Sequence, residues 1–499
     1  MSLQEGQKPT GIEIRKPNLN GTEFDFGGVK ERVITRDDFS IEDARRALRN
    51  ETIAIVGYGV QGPGQSLNLR DNGFNVIVGQ RAGKTFDKAV SDEWVPGRNL
   101  FSIEDAIRRA TQIQYLLSDA GQKSEWERIR PLLKPGDALT FSHGFSITFK
   151  EQTGVIPPPF VDVILVAPKG SGRSVRENFL KGSGINSSFA VFQDATGRAR
   201  ERAIATGMAI GSGFLFPTTF EKEVFSDLTG ERGVLMGAFK GLADAGYNSL
   251  RNLGFSPEQA ATNTIEFLTQ TLSKIIGTKG VDGLVRDLNS EQRSLFMKAF
   301  VYTREATAPV FEDLYERVAT GVESARVIKS NSMFDYRDRL NDELKIIADS
   351  ESGKASALVR EKREKGATVP SSIQTKENVI MAGALAGLFD AQYRLLRSKG
   401  HSPSEAFNET VEEATQSLYP LIDRQGIAWM YANCSTTAQR GALDWNGRFR
   451  SVLPDLFNPE MHELGGLSFA MTERVSETSE MWRAGKTVRN LRPENQKIA

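Results

Sequence analysis

The sequence has few of the residues that build covalent cross-links or soft metal cages. Cys434 is the single cysteine, and the three histidines are His143, His401 and His462. One cysteine excludes an internal disulfide and a thiolate cage, and is typical of a reducing compartment. Three histidines also exclude a histidine-rich metal site. A metal in this protein must therefore be held mainly by oxygen atoms, which favours Mg²⁺ or Mn²⁺.

The sequence also lacks an excess of charge and a long apolar run. Its 499 residues include 63 basic and 63 acidic side chains, so no general nucleic-acid partner is indicated. The apolar runs are too short to cross a bilayer, and the first residues lack the apolar core of a secretory signal. We expect no nucleic-acid or membrane partner. The length predicts two or three domains.

Short apolar runs alternate with helical patterns in the first half of the chain, from about Thr52 to Gly211. This alternation predicts a parallel, doubly wound α/β sheet of the Rossmann-like kind. The predicted buried strands are 52–56, 75–79, 113–118, 138–144 and 161–168.

A glycine motif, Gly57-x-Gly59-x-x-Gly62, directly follows the first predicted strand. Gly57 permits a tight turn, Gly59 lets a pyrophosphate approach the backbone, and Gly62 allows close packing of helix and strand. The motif alone is weak, because a glycine turn in an unrelated βα unit looks the same. Its position between a strand and a helix favours a dinucleotide site.

The second strand ends in Gln80-Arg81, where many dinucleotide-binding proteins have an acid. Arg81, Lys84 and Thr85 supply two cations and a hydroxyl, which suit a 2′-phosphate and favour NADPH over NADH. The alternative is a solvated basic turn. The candidate cofactor-binding residues are Gly57, Tyr58, Gly59, Gln61, Gly62, Arg81, Lys84, Thr85 and Ser118.

Two further strand ends have reactive side chains. His143 in "FSHGF" and Lys169 in "VAPKGSG" stand at the carboxyl ends of neighbouring predicted strands, where open α/β sheets bind ligands. A single histidine or lysine in a loop is usually structural or solvated. Two at neighbouring strand ends favour a functional site.

The second half is helical and contains an internal duplication. When 233–272 is aligned with 379–418, about 18 of 40 positions are identical. Each copy contains a Ser-Pro pair that starts a helix, and we expect Gln259 and Glu405 to complete capping boxes. The segment between the copies, roughly Val327–Ser372, is polar and charged and predicts surface helices and loops.

The first copy is preceded by an acidic stripe. Glu223, Asp227 and Glu231 stand at i, i+4 and i+8, so they lie near one helix face. The second copy has Ile373 in place of Asp227 and keeps an acid, Glu377, in place of Glu231.

The second copy has its own acidic pair. Glu409 and Glu413 replace Asn263 and Phe267 of the first copy. Each acidic pair by itself is most simply a solvated helix face. Complementary divergence of the two copies instead favours a shared site for two divalent cations, because like charges at this spacing repel unless something neutralises them.

These motifs resemble the ketol-acid reductoisomerase family, in its long, plant-type form with a duplicated helical domain. The motifs "GYGVQGPGQ", "SHGF", "VAPKGSGRSVREN", "GINSSFAVFQD", "SDLTGERG", "NETVEEA" and "NCSTTAQRG" occur in the family's order over about Thr52–Arg448. The loop "QRAGKTF" departs from the plant-type pattern, which has serines at positions matching Lys84 and Phe86. This departure affects the detailed contacts to a 2′-phosphate.

The resemblance implies a fold and an activity. The implied fold is a Rossmann-like domain (1–217) followed by an all-α domain (218–499) of two halves, about 218–330 and 373–480, tied in a knot. Such enzymes convert 2-acetolactate or 2-aceto-2-hydroxybutyrate, which are 2-hydroxy-3-keto acids, to 2,3-dihydroxy acids in valine and isoleucine biosynthesis. A Mg²⁺-dependent alkyl shift precedes reduction by NADPH.

The resemblance also implies residue roles. Asp227 would bridge two Mg²⁺ ions and Glu231 would bind one, with Glu409 and Glu413 completing the acidic site partly through water. Ser435 and Glu409 would bind substrate. The implied catalytic residues are Lys169, Glu223, Glu413 and His143, and the histidine acts either as a direct acid/base or by ordering water. The resemblance further implies a homodimer, in a bacterial cytoplasm or, for a processed eukaryotic protein, in the plastid stroma.

Two other functions are compatible with parts of the sequence. A metal-independent NADP-dependent β-hydroxyacid dehydrogenase also joins a Rossmann domain to a helical domain, but does not need paired acids from both copies. A catalytically dead NADP-binding regulator should have lost part of the acidic set, whereas this chain has all of it.

Overall fold

The computed structural model describes residues 16–368, 370, 372–454, 456–458 and 479–496. An α/β layer forms first along the chain and a largely helical region follows. The strands are β1 (Thr22–Asp25), β2 (Lys30–Val33), β3 (Ile53–Val56), β4 (Val76–Gly79), β5 (Leu100–Phe101), β6 (Gln112–Tyr115), β7 (Ala138–Phe141), β8 (Asp162–Pro168), β9 (Ser187–Gln193) and β10 (Leu215–Pro217).

The main sheet has the order β10-β9-β8-β7-β6-β3-β4-β5, and β1 pairs with β2 in a separate two-stranded sheet. The five strands expected from the sequence are β3, β4, β6, β7 and β8, so the Rossmann-like fold class is confirmed. These five strands pair parallel with one another, as expected. The sequence analysis did not predict β9, which follows α8 and pairs antiparallel with β8.

The sheet is buried on both faces. Along β8, Ile164 and Val166 belong to one apolar cluster, while Val163 and Leu165 belong to another. Alternate side chains of a strand point to opposite faces, so these two clusters lie on opposite sides of the sheet. Burial on both faces explains why its strands are near-continuous apolar runs in the sequence.

Helices of the first region cover the sheet. They are α1 (Ile41–Ala47), α2 (Gly62–Asp71), α3 (Lys84–Ser91), α4 (Ile103–Arg109), α5 (Asp119–Ile129), α6 (Phe145–Thr148), α7 (Lys150–Thr153), α8 (Gly172–Leu180) and α9 (Ala199–Ala209), with a 3₁₀ turn at Arg130–Leu132.

The second region is helical throughout its described residues. Its helices are α10 (Phe220–Arg232), α11 (Gly237–Asn252), α12 (Pro257–Ala261), α13 (Ser273–Arg286), α14 (Ser290–Ala319), α15 (Val322–Asn331), α16 (Tyr336–Asp349), α17 (Glu351–Glu364), α18 (Lys376–Ser398), α19 (Pro403–Phe407), α20 (Tyr419–Gln425), α21 (Ile427–Ala432), α22 (Thr436–Ser451), α23 (Glu480–Leu491) and α24 (Pro493–Gln496).

Helices α14 and α18 pack very closely at the centre of this region. A Cβ atom added at Gly383 or Gly387 of α18 would lie 2.2 Å from the carbonyl oxygen of Phe296 or Phe300 on α14. The two glycines are four residues apart and so share one face of the helix. By length and composition α18 is apolar enough to cross a membrane, but 94% of its apolar window is buried inside the fold.

The two copies of the repeat share an unusual helical geometry. In the first copy α12 continues through π-helical turns at Thr262–Glu266 and Leu268–Leu272. In the second copy α19 continues through π-helical turns at Asn408–Glu412 and Ala414–Leu418, which are the aligned positions. Such turns often occur at functional sites. Here one copy carries the acidic pair and the other does not.

The expected capping boxes differ between the copies. Ser256 and Gln259 form the complete box at α12. At α19 the Ser402 hydroxyl accepts a hydrogen bond from the Glu405 N–H, but the Glu405 side chain does not return it. This expectation was wrong for Glu405, because its carboxylate turns inward to buried partners described below.

The domain boundary at 217/218 and the limits of the two helical halves stay predictions, and so does the knot. Residues 1–15 and 459–478 of the expected domains lie outside the described part of the chain.

A buried ion network joins strands to a covering helix. Arg202 on α9 donates to Glu51 at 2.9 Å and to Asp162 on β8 at 2.8 Å. All three side chains are buried. Removing the cation would leave two buried carboxylates without their partner, which typically costs about 3–5 kcal/mol.

We therefore expect Arg202→Leu to lower the free energy of unfolding of the α/β region by about 3 kcal/mol or more. Urea denaturation followed by circular dichroism measures this. The control is Arg198→Ala at the N-cap of the same helix, whose half-exposed side chain lies 3.7 Å from Glu51 and should contribute less than about 1 kcal/mol. Equal unfolding midpoints for the two variants would contradict the structural role of Arg202.

Candidate functional site

The glycine turn after β3 has the geometry that a dinucleotide requires. Gly57 has a φ of +104°, and a Cβ there would lie 2.8 Å from the Leu116 carbonyl oxygen. At Gly59 a Cβ would meet nothing within 4 Å, so the backbone is open to a ligand. At Gly62 a Cβ would lie 2.2 Å from the Gly57 carbonyl oxygen, so only glycine lets α2 start this close to the turn.

Gln80 stands where an acid is common and organises the turn instead. Its side-chain oxygen accepts from the Tyr58 N–H at 2.8 Å, and its amide donates to the Thr85 hydroxyl at 2.7 Å. Gln61 donates to the Gly170 carbonyl at 2.9 Å and so joins the glycine turn to the loop after β8. Ser118 is the N-cap of α5.

The cationic side chains near this turn are placed differently from one another. Arg81 is mostly exposed and pairs with Glu125 at 3.2 Å. Lys84 is exposed at the first position of α3 and does not line the cleft, whereas Lys88, one turn further along the helix, does line it. Sequence reasoning missed Lys88, since spacing alone does not show which turn of α3 faces the cleft.

The acidic residues of the two halves meet beneath the carboxyl ends of β7 and β8. Glu223, Asp227 and Glu231 come from α10, because their spacing puts them on one helix face. Glu409 and Glu413 come from the π-helical stretch after α19. The two acidic stripes are therefore brought together within one chain.

Lys169, at the end of β8, lies at the centre of these acids. Its ammonium nitrogen is 2.6 Å from Glu409 Oε1, 2.9 Å from Glu223 Oε1 and 3.8 Å from Asp227 Oδ1. The lysine side chain is 1% exposed. Burial disfavours its charge, but Glu223 and Glu409 outweigh this and raise the pKa of Lys169 well above its usual value.

His143, at the end of β7, faces α10. Its Nδ1 lies 3.3 Å from both Glu223 Oε2 and Asp227 Oδ2, without the alignment of a hydrogen bond. Burial works against the protonated ring, but the charges of Glu223 and Asp227 outweigh it, so the pKa of His143 is raised well above its usual value. The next residue, Gly144, donates its N–H to Glu223 Oε2 at 2.6 Å.

The carboxyl groups separate into one that is strongly ionised and several that resist ionisation. Burial acts to raise the pKa of Glu223, but Lys169 and His143 prevail and hold it at about 2. For Glu409, burial and the charges of Asp227 and Glu223 prevail over Lys169 and raise the pKa to about 8. Burial, followed by neighbouring carboxylates, also raises the pKa values of Glu231 and Glu413 well above normal.

This donor set fits divalent cations. His143, Glu223 and Asp227 form one group of three with ligand atoms within 4.8 Å of one another, and Asp227, Glu409 and Glu413 form a second. The Oε2 atoms of Glu231, Glu409 and Glu413 are buried, and none of them has a hydrogen-bond partner among the described residues. Hard oxygen donors in excess of local positive charge suit Mg²⁺ or Mn²⁺.

A buried polar network supports Glu409 from behind. Ser226 Oγ lies 3.2 Å from Glu409 Oε1 and 3.4 Å from Glu405 Oε1. Glu405 in turn accepts from Thr218 at 2.7 Å, and its Oε2 lies 3.1 Å from Nδ1 of the fully buried His401. The first copy has Phe255 and Gln259 at the positions of His401 and Glu405, so this network belongs to the second copy alone. Comparing the copies at these positions would have revealed it in the sequence.

Ser435 caps helix α22 at the edge of the same region. Its hydroxyl oxygen accepts from the Ala438 N–H at 3.0 Å, which leaves the hydroxyl proton available to a ligand. Two residues later, the Thr437 hydroxyl donates to Asp119 at 2.5 Å. Because Asp119 follows Ser118 of the cofactor side, this bond joins the two walls of the site.

A cleft of about 610 Å³ joins all these parts. The predicted residues that line it are Gly57, Tyr58, Gly59, Gln61, Arg81, Thr85, Ser118, His143, Asp227, Glu231, Glu413 and Ser435. Lys169, Glu223 and Glu409 are buried beneath its floor. The structure thus brings together a dinucleotide-type turn and a cluster of acidic side chains in one cleft.

Comparisons with known proteins agree with this geometry. Residues 47–214 match the family described as "Acetohydroxy acid isomeroreductase, NADPH-binding domain". Residues 220–365 and 375–464 match the family described as "Ketol-acid reductoisomerase, C-terminal domain". Together these matches cover most of the chain.

Individual relatives have the same name. The ketol-acid reductoisomerase (NAD(+)) of Desulfosudis oleivorans is 55% identical over 338 residues, which cover 68% of this chain and 96% of the relative. The chloroplastic ketol-acid reductoisomerase of Spinacia oleracea is 33% identical over 480 residues, covering 91% and 79%. A solved NADH-preferring ketol-acid reductoisomerase from an uncultured archaeon has a TM-score of 0.57 at 28% identity, covering 66% and 98%.

The raised pKa values predict how stability depends on pH when no divalent cation is bound. Groups with a folded-state pKa above the unfolded value stabilise the fold at low pH, and this contribution is lost as pH rises through the folded pKa. Glu409 is such a group, and its contribution to the free energy of unfolding is lost between about pH 4.5 and about pH 8. The pKa of Glu223 is held at about 2, so the contribution of Glu223 to the free energy of unfolding is constant in that range.

We expect the thermal midpoint in EDTA to fall by at least ~2 °C between pH 5 and pH 9, and Mg²⁺ at pH 9 to restore it. Differential scanning fluorimetry across this range is the measurement. Glu413→Gln should flatten the pH dependence, whereas Glu221→Gln, an exposed position on α10, should leave it unchanged. A midpoint in EDTA that rises toward pH 9 would show that the acids are not held protonated.

Proposed function

Because the chain belongs to the ketol-acid reductoisomerase family, we propose how its cleft carries out that family's reaction. The protein is an oxidoreductase of branched-chain amino-acid biosynthesis that uses a nicotinamide cofactor and a small-molecule substrate. We propose that 2-acetolactate or 2-aceto-2-hydroxybutyrate undergoes an alkyl shift and then reduction by NADPH to a 2,3-dihydroxy acid.

The position of Asp227 is the observation that carries the proposed metal dependence. It belongs to both groups of closely spaced ligand atoms, so one carboxylate is within reach of two cation positions. We propose two Mg²⁺ ions, with Asp227 between them and with Glu231, Glu409 and Glu413 as further ligands. The buried, unpartnered oxygens of these three glutamates support the assignment.

The chemistry divides between the cations and the protein. Divalent cations held by these residues would polarise a hydroxyl and an adjacent carbonyl and lower the hydroxyl's pKa, as an alkyl shift requires. Glu413, which lines the cleft together with Asp227, serves as the base for the hydroxyl proton. The same group returns the proton when the new alcohol forms.

The other polar residues bind and orient. Ser435 donates its hydroxyl proton to the substrate, since its oxygen is already engaged in capping α22. Lys169 keeps Glu223 and Glu409 at a fixed separation and balances part of their charge. His143 balances part of the charge of Glu223 and Asp227 at the cleft wall, where it orders water or delivers a proton.

The dinucleotide would lie along the glycine turn and deliver its hydride near the ends of β7 and β8. We propose NADPH on the basis of this chain's own residues, since the Desulfosudis relative and the archaeal neighbour are named for NAD(+) and NADH. The cleft wall around the expected 2′-position contains Arg81, Thr85 and Lys88. These side chains supply charge-assisted hydrogen bonds to a phosphate.

We also propose a homodimer, two domains that meet near residue 217, and a location in a bacterial cytoplasm or in the plastid stroma, all on the resemblance. Because Asp227, Glu409 and Glu413 meet within one chain, the proposed metal site needs no ligand from a partner subunit.

Asp227→Asn tests the metal site. We expect Mg²⁺ affinity and acetolactate turnover to fall by at least ~100-fold, because the variant loses the anion that serves both cation positions. NADPH affinity should change less than ~2-fold, since the glycine turn lies on the other wall. Calorimetry measures the Mg²⁺ affinity, fluorescence titration measures the NADPH affinity, and a coupled assay measures the acetolactate turnover.

Glu221→Gln on the same helix is the matched control and should behave as the wild type. Near-normal Mg²⁺ affinity and turnover in Asp227→Asn would remove Asp227 from the metal site. An acetolactate reaction that proceeds in EDTA would instead support a metal-independent dehydrogenase.

Arg81→Asp tests the choice of dinucleotide. The change should weaken NADPH binding by at least ~1.5 kcal/mol, the scale of a charge-assisted hydrogen bond, and should spare NADH. Dissociation constants for both dinucleotides measure the effect, with Lys84→Gln as a control outside the cleft lining. Equal wild-type affinities for NADH and NADPH would contradict the proposed preference.

A further inference from the structure

The segment between the two copies contributes a cation to the cleft. Sequence reasoning placed this segment on the surface, and α16 is indeed largely exposed along one face. However, Arg337, in the first turn of α16, lines the cleft that also contains Asp227, Glu413 and Ser435. Among the described residues lining the cleft, the arginine and lysine side chains are Arg81, Lys88 and Arg337, and His143 also lines it.

The position of Arg337 is fixed by contacts to the Ser435 loop. The Tyr336 hydroxyl donates to the Thr436 carbonyl at 3.3 Å, and the Asn331 amide donates to the Thr436 hydroxyl at 3.0 Å. Tyr336 is 8% exposed, so this end of α16 is packed against the wall of the cleft. The backbone that carries Arg337 is therefore held beside the expected substrate wall.

An ion pair holds the body of α16 in place. Glu343, two turns beyond Arg337, receives a two-pronged contact from Arg440 on α22, with distances of 2.8 and 3.0 Å. Both ends of the contact between α16 and α22 are thus secured. Arg337 projects from a supported helix rather than from a free loop.

The guanidinium group of Arg337 has no ion pair or hydrogen bond within the part of the chain that the structure describes. Its neighbours differ in this respect, since Arg339 pairs with Asp335 at 2.6 Å. An exposed arginine without a partner is ordinary on an outer surface. One that lines a cleft for anionic ligands is free to bind them, and the guanidinium fork matches carboxylate and phosphate oxygens.

We propose that Arg337 binds an anionic oxygen group of a ligand in the cleft, either the carboxylate of the substrate or a phosphate of the dinucleotide. This inference rests on the proposed function, because it takes the cleft's ligands from it. Arg81 and Lys88 lie on the first domain's wall, whereas Arg337 lies on the helical wall beside Ser435. Arg337 thus supplies positive charge on the wall where Asp227, Glu231 and Glu413 supply only negative charge.

Arg337→Gln tests this role, with Arg339→Gln as the matched control. Both residues are exposed arginines of α16, but only Arg337 lines the cleft. Two measurements distinguish the two ligand groups. One is the dissociation constant of NADPH in EDTA without substrate, and the other is the KM for acetolactate with saturating NADPH and Mg²⁺.

If Arg337 binds the substrate carboxylate, Arg337→Gln should raise KM at least ~10-fold with little change in kcat and an unchanged NADPH affinity. If it binds a phosphate, the NADPH dissociation constant should rise by a similar factor. Arg337→Lys keeps the charge but loses the fork, so its effect should be intermediate. Thermal midpoints of all variants should match the wild type.

Unchanged KM and NADPH affinity in Arg337→Gln, relative to Arg339→Gln, would overturn the proposal and leave the proposed function standing. Absence of acetolactate turnover in the wild type would instead contradict the proposed function. The NADPH measurement would still decide whether Arg337 binds phosphate, because it requires neither Mg²⁺ nor turnover.

Discussion

The contact between Lys169 and the acids of both helical copies is the interaction on which the site depends. The lysine leaves β8 and reaches Glu223 of α10 and Glu409 of the second copy at 2.9 and 2.6 Å. Its charge is buried, which is costly unless it is paired and hydrogen-bonded. The pairing therefore fixes the distance between the sheet edge and both helices. It also leaves the remaining acids in excess, and that excess is what makes the floor of the cleft receptive to cations.

The duplication explains how one chain builds such an asymmetric floor. Both copies keep the π-helical turns at aligned positions, so their backbones present the same positions inward. In the first copy those positions carry Asn263 and Phe267, and Phe267 is 4% exposed within the core. In the second they carry Glu413, which lines the cleft, and Glu409, which is buried beneath its floor. Because the copies differ at these aligned positions, a duplicated scaffold forms one acidic site rather than two.

Much of this arrangement follows from local patterns, and the rest does not. Strand runs, the glycine turn and acids spaced by four residues each reflect backbone periodicity, so the sequence predicts the sheet edge and the acidic faces. Periodicity does not tell which exposed turn of a helix meets a neighbour. Lys88 rather than Lys84 lines the cleft, and Arg337 reaches it from a segment that is polar throughout. Glu405 stands at a capping-box position in the sequence. Its side chain instead contacts buried His401, which tertiary packing brings close to it.

The position of Asp227 in two ligand groups has a consequence for how the cleft fills. Two separate sites would take up cations independently, each with its own affinity. Under the proposed assignment the carboxylate is common to both, so occupancy at one position would change the charge and orientation available at the other. Repulsion between the cations would oppose the second binding event, while an already ionised and oriented Asp227 would favour it. The proposed pair of sites would therefore be a single thermodynamically coupled unit, whose binding curve for divalent cations is not the sum of two independent isotherms.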